Sequence, residues 1–135
     1  MKIRITKGGK WCSQDSLQKE WVKDDIIEKY ACSTINSHRA RGFDIQVTPK
    51  ELRKKIKEEI NEPCKYCGCK MEYHPPNNRI TENMITTDII NPAYRVLSLD
   101  NVQFICHACN QMKSHFPEPE FLRRCINIAF RTGIY

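Results

Sequence analysis

No stretch of this chain approaches the ~18 consecutive apolar residues that a membrane-spanning helix needs, so no membrane partner is expected. A secretory leader is missing too: "MKIRITKGGKW" has a basic start but no apolar run behind it. There is no internal repeat and no low-complexity tract. The βαβ pattern that would house a thioredoxin-like redox pair is also absent. A reducing, cytoplasmic home is therefore expected, and a secreted disulfide scaffold is not.

Against these absences stand eight cysteines in 135 residues. In a reducing compartment, clustered cysteines usually mean metal. Net charge is +6, from 22 Lys and Arg against 16 Asp and Glu, which permits a nucleic-acid partner without demanding one. Four thiolates on a zinc ion would remove about two of those charges. The length and the 40% hydrophobic content fit one structural domain. Its two parts are an arm and helices over 1–61 and a cysteine-bearing module over 62–135.

Ile3 and Ile5 alternate with polar residues, giving an extended basic arm or first strand over 1–11. Leu17, Trp21 and Val22 mark one helical face, and Ile27, Tyr30, Ala31 and Ile35 another, stopping at Gly42; one bent helix or two helices are expected. "GFDIQV" reads as a short strand. In "TPKELRKKIKEEI", Thr48 can cap, Pro49 suits the first helical position and Glu51 completes a capping box. Leu52, Ile56 and Ile60 supply the buried stripe, with Arg53, Lys54, Lys55 and Lys57 mostly opposite. A last helix carries Phe121, Leu122, Cys125, Ile126 and Ala129 on its apolar face.

Cys64-Lys65-Tyr66-Cys67 and Cys106-His107-Ala108-Cys109 are both C-x-x-C, separated by 38 residues. A two-residue gap lets one tight turn aim two sulfurs at one ion, and two such turns complete a tetrahedral S₄ site with Zn–S near ~2.3 Å. Gly68 suits a knuckle that needs positive φ. Cys69 is a competing ligand, though Cys64 and Cys67 match the spacing of the second pair. Cys12, Cys32 and Cys125 have no partner spacing and read as buried small apolar residues. A closed S₄ site offers no position to substrate, so this zinc would be structural.

Taken together, "CKYCG", "TTDIINP" and "DNVQFICHACNQMKS" resemble the HNH endonuclease family in its zinc-bearing, phage-like branch. "INSHRARGFDIQVTPKELRKKI" and "FPEPEFLRRCINI" are similar to the segments that flank that module, so the likeness spans about Cys32 to Ile128. The resemblance implies an α+β fold: a zinc-stapled ββα-metal core with flanking N-terminal and C-terminal helices, in a bacterial or phage-infected cell. It implies a metal-dependent endonuclease hydrolysing DNA phosphodiester bonds, with RNA as a second possible partner. Asp88 and Asn110 match the ligands of the catalytic ion, and their oxygens suit Mg²⁺ or Mn²⁺. Asn101 matches the loop-fixing Asn. Lys113, with Arg95, is the expected nucleic-acid contact.

One position departs from the pattern. The family's general-base His follows the acid directly, and here that residue is Ile89, which cannot take a proton. His74 or His107 is a candidate replacement, His115 a less well aimed one. The alternative is a catalytically degenerate module that binds nucleic acid without cleaving it.

Overall fold

The computed structural model describes residues 16–75 and 79–134, with side chains from residue 25 onward. The expected arm over 1–11, Cys12, the stripe of Leu17, Trp21 and Val22, and the tip of the "YHPPNN" loop lie outside what is described. In chain order the elements are α1 (Ser16–Ala40), β1 (Asp44–Ile45), α2 (Pro49–Glu59), β2 (Ile85–Ile89), a 3₁₀ turn (Pro92–Tyr94), β3 (Val96–Leu97), β4 (Val102–Cys106), α3 (His107–Lys113) and α4 (Glu118–Thr132). This is a small α+β fold, with four helices and two small two-stranded sheets among the described residues. No helix in it is long and apolar enough to cross a membrane.

α1 is one continuous helix. Ile27, Ala31 and Ile35 repeat at spacing four and are buried, with Thr34 and His38 beside them. It closes where the sequence places its stop. Gly42 takes φ +88, and the Phe43 amide reaches back to the His38 carbonyl at 3.0 Å, a left-handed cap that a side chain would strain.

α2 packs against α1. The Glu51 amide donates to Thr48 Oγ1 at 3.1 Å and the Thr48 amide to Glu51 Oε1 at 3.0 Å, with Pro49 at the first helical position. A cap of this kind contributes about 1 kcal/mol. Leu52, Ile56 and Ile60 face the core as their spacing demands. The basic residues opposite are largely paired: Arg53 with Glu28, Lys54 with Glu58, Lys55 with Glu59.

β2 and β4 pair antiparallel, from Ile85↔Cys106 to Ile89↔Val102. α3 begins on the residue after β4 and folds back over β2. Side chains alternate across a strand. Thr86 and Asp88 therefore meet α3, while Thr87 points to α1, where its hydroxyl lies 2.7 Å from that of Tyr30. The expected "GFDIQV" strand shortens to β1, which pairs parallel with β3 through Asp44↔Val96 and Ile45↔Leu97.

α4 differs from expectation. Phe121 is buried, edge-on to Tyr66 at 5.2 Å, but Leu122, Ile126, Ile128 and Phe130 are exposed, and so is Cys125. Of the expected apolar face, Phe121 is buried and Ala129 half-buried.

Candidate metal centre

The first knuckle is a tight turn. The Cys64 amide donates to the Cys69 carbonyl at 2.8 Å and the Gly68 amide to the Cys64 carbonyl at 2.8 Å, with Gly68 at φ +79. The second knuckle is the junction of β4 and α3. Cys106 caps α3, its sulfur accepting from the Cys109 amide at 3.4 Å. The sulfurs of Cys64, Cys67, Cys106 and Cys109 all lie within 4.8 Å of one another. Three of these residues are buried, and Cys67 is exposed.

Sulfurs at ~2.3 Å from a tetrahedral zinc stand about 3.8 Å apart. Cys67 Sγ and Cys106 Sγ are separated by 3.7 Å. Burial pushes the Cys106 and Cys109 thiols up, and the neighbouring sulfurs add to it, since thiolates this close repel. The Cys69 amide draws the exposed Cys67 thiol down to about 7. A dication supplies the positive charge that four such thiolates lack. The four cysteines are thus placed to bind one structural zinc ion. Cys69 adjoins Cys67 and Cys106, and burial pushes its thiol to about 12.

Between the two cysteines of the first knuckle sit Lys65 and Tyr66, which carry the knuckle into a buried polar network. Lys65 Nζ donates to Gln103 Oε1 at 3.0 Å and pairs with Glu118 at 2.8 Å. The Tyr66 hydroxyl donates to Glu118 Oε2 at 2.7 Å and accepts from Gln103 Nε2 at 2.9 Å. Gln103 Nε2 also donates to Asp88 Oδ2 at 2.8 Å. Gln103, Tyr66, Lys65 and Glu118 were not singled out from sequence as site residues. The one available signal was a Gln inside "VQFIC", a strand buried at all five positions, where an amide must find partners.

At the far end of the network is an ion pair. Lys113 Nζ lies 3.2 Å from Asp88 Oδ1 and 3.1 Å from Oδ2, and it donates to the carbonyls of Ile89 at 3.1 Å and Ile90 at 3.3 Å. Four oxygens surround one ammonium. Burial pushes the Asp88 carboxyl up, while Gln103 and Lys113 pull it down.

The placement of the remaining sequence candidates is mixed. Asn101 ties the loop between the strands: its Oδ1 accepts from the Asn91 amide at 3.0 Å, and its Nδ2 donates to the Asn91 and Val96 carbonyls at 3.3 and 3.0 Å. Asn110 Nδ2 donates to Thr86 Oγ1 and to the Thr87 carbonyl, both at 2.9 Å, pinning α3 to β2 on the face that carries Asp88. Both oxygens of Asp88 are engaged, by the Gln103 amide and the Lys113 ammonium.

Lys113, the expected phosphate contact, has a fully buried side chain. Neither histidine reaches Asp88. His74 Nε2 is 2.7 Å from the Ile85 carbonyl, and its ring is edge-on to Tyr30, at 4.8 Å on the α1 side. His107 opens α3 at the opposite end of the hairpin, where its amide donates to the Met84 carbonyl at 2.9 Å. Ile89 itself is in the core. Arg95 is exposed, with its guanidinium 4.7 Å over the Phe43 ring.

Comparison of the chain with protein-family models, with curated proteins and with solved structures finds no match.

Proposed function

We propose that this chain is a nucleic-acid-binding module built on a zinc-stapled ββα unit of HNH type, and that Lys113 stands where an active nuclease of that type holds its catalytic ion. The observation that carries this is the four-oxygen cage around the Lys113 ammonium, which includes both oxygens of Asp88. An ammonium in that cage supplies one positive charge to the carboxylate and leaves no coordination position for water or phosphate. Ile89 at the general-base position supports the same reading, since an isoleucine side chain cannot take a proton from water. The net charge of +6 suits a polyanionic partner.

The partner is DNA, bound through its backbone and with affinity that falls as salt rises. The test is a pair of assays on the zinc-loaded chain: fluorescence anisotropy with labelled duplex DNA, and plasmid nicking in Mg²⁺ or Mn²⁺. Salt-sensitive binding without nicking is the expected result. Nicking that disappears in Asp88→Ala and in Asn110→Ala would overturn it.

That last outcome is what a second reading expects, a metal-dependent HNH-like endonuclease hydrolysing DNA. It is favoured by one arrangement: Asn110 pins α3 to the face of β2 that carries Asp88, with Asn101 fixing the loop beyond. For that chemistry Lys113 has to leave the cage and a divalent ion has to enter it, where it would polarise the scissile phosphate.

A further inference from the structure

Two guanidinium groups meet over the Phe43 ring at the end of α1, arriving from two distant parts of the chain. Arg39 and Arg41 belong to the last turn and its cap. Arg95 comes from the residue before β3, and the parallel pairing Asp44↔Val96 sets it beside Phe43. The Arg95 guanidinium lies 4.7 Å from the Phe43 ring centroid and that of Arg41 lies 5.6 Å from it. Arg95 Nη2 also donates to the Arg41 carbonyl. A Cβ on Gly42 would stand 3.4 Å from that same Nη2, in van der Waals contact with it.

The charge in this cluster is uncompensated. Among the described residues, Arg53, Lys55, Lys65, Arg123 and Arg124 each have a carboxylate partner, whereas Arg39, Arg41 and Arg95 have none. Asp44, the acid nearest in sequence, has Oδ2 engaged by the Gln46 amide at 2.7 Å. The negative end of the α1 dipole attracts cations and accounts for Arg39 and Arg41. It does not account for Arg95, which is held with a backbone of φ 52, a conformation that a non-glycine residue adopts only at a cost. That backbone is fixed by the Asp44 amide donating to the Arg95 carbonyl at 3.0 Å and the Arg95 amide donating to Pro92 at 3.2 Å. Like charges are therefore assembled at the surface on an aromatic support. A guanidinium laid over a ring keeps its in-plane N–H donors free at the ring's edge, in the fork that matches phosphate.

We infer that Arg41 and Arg95 over Phe43, with Arg39 in the last turn of α1, form the surface that docks the phosphodiester backbone of DNA, apart from the buried Asp88–Lys113 pair. The inference rests on the reading of the chain as a DNA-binding module. It makes this cluster, rather than the paired basic face of α2, the place where counterions are released.

The experiment is a salt titration of binding to a labelled duplex of roughly 20 base pairs, between about 50 and 200 mM salt, on the full zinc-loaded chain. Each phosphate contact contributes about 0.9 to the slope of log K against log salt. Arg41→Ala with Arg95→Ala should lower that slope by about 1.8 and weaken low-salt binding at least tenfold. The Lys pair at the same positions should keep most of the slope. Arg39→Gln removes no contact beyond Asn36, so it tests the same surface without touching the Phe43 support, and it should lower the slope by about 0.9. Arg123→Ala with Arg124→Ala, the same charge change on α4, should leave it unchanged.

A wild-type chain that binds, with the Ala pair and Arg39→Gln both keeping its slope, would overturn the docking surface and leave the binding reading standing. A wild-type chain that does not bind at all overturns both. Duplex RNA competing tenfold better than DNA would overturn DNA as the partner.

Discussion

Lys113 and Asp88 form an ion pair, at 3.1 Å from Nζ to Oδ2, in which neither side chain is more than 4% exposed. Two charges taken out of water this completely do not add much stability as a pair, but removing one strands the other. Lys113→Met should therefore lower the unfolding free energy by about 3–5 kcal/mol in a denaturant titration. Adding Asp88→Asn should recover part of that loss, because the uncompensated carboxylate is gone. Recovery stays partial, since the contacts of Lys113 with the Ile89 and Ile90 carbonyls are lost in both variants. A double variant as unstable as the sum of the singles would show that the two groups act independently.

The same cage makes a prediction about divalent ions. A ligand present at about 100 times its Kd raises stability by about 2.7 kcal/mol. With the ammonium in place, millimolar Mg²⁺ or Mn²⁺ should leave the melting temperature of the zinc-loaded wild type unchanged. In Lys113→Met the carboxylate is vacated, and Mn²⁺ should raise the melting temperature of that variant. An equal Mn²⁺ response in both proteins would mean that ions bind elsewhere; a response in wild type that Asp88→Asn abolishes would favour the nuclease reading.

Zinc should be present at about one per chain by elemental analysis. Its removal by a strong chelator should unfold the module, because the knuckle carries Lys65 and Tyr66 into the network that reaches Asp88. Cys106→Ser should lose zinc, although a serine hydroxyl can still accept from the Cys109 amide and cap α3. Cys69→Ser should keep its zinc, because Cys64, Cys67, Cys106 and Cys109 suffice for a closed tetrahedral site. Stoichiometric zinc in Cys67→Ser but not in Cys69→Ser would exchange the roles of those two cysteines.

The capped helix α2 and the cysteine cluster were legible because each rests on short-range spacing: Thr48 to Glu51 for the capping box, Cys64 to Cys67 and Cys106 to Cys109 for the knuckles. The stripe of Ile27, Ala31 and Ile35 was legible for the same reason. The burial of Lys113 was not legible, because it depends on a partner 25 positions away, which no local pattern reveals. Gln103 escaped notice because its partners lie on two distant segments, Lys65 and Tyr66 on the first knuckle and Asp88 on β2. For α4 the period was right and the environment was not: a 3.6-residue repeat reports a face, and only packing tells what that face meets.

Glu118 gives the network a pH signature. Lys65 first, then the Tyr66 hydroxyl, hold its carboxyl below the ordinary value of 4.5. A carboxylate whose folded value is depressed contributes stability above its unfolded value and loses it as pH falls through the folded one. Glu118→Gln keeps the shape, and its amide oxygen can still accept from Tyr66, but the charge facing Lys65 is gone. The wild type should therefore be the more stable protein by less than about 1 kcal/mol at neutral pH, since Lys65 is half exposed and the pair is screened. The gap should hold from about pH 7 down to about pH 5 and close below 4.5, where Glu118 takes a proton. The two proteins are compared over the pH range in which both keep their zinc, because the module unfolds without it. A gap that stays undiminished at the acid end of that range, below 4.5, would mean that Glu118 acts through shape, not charge.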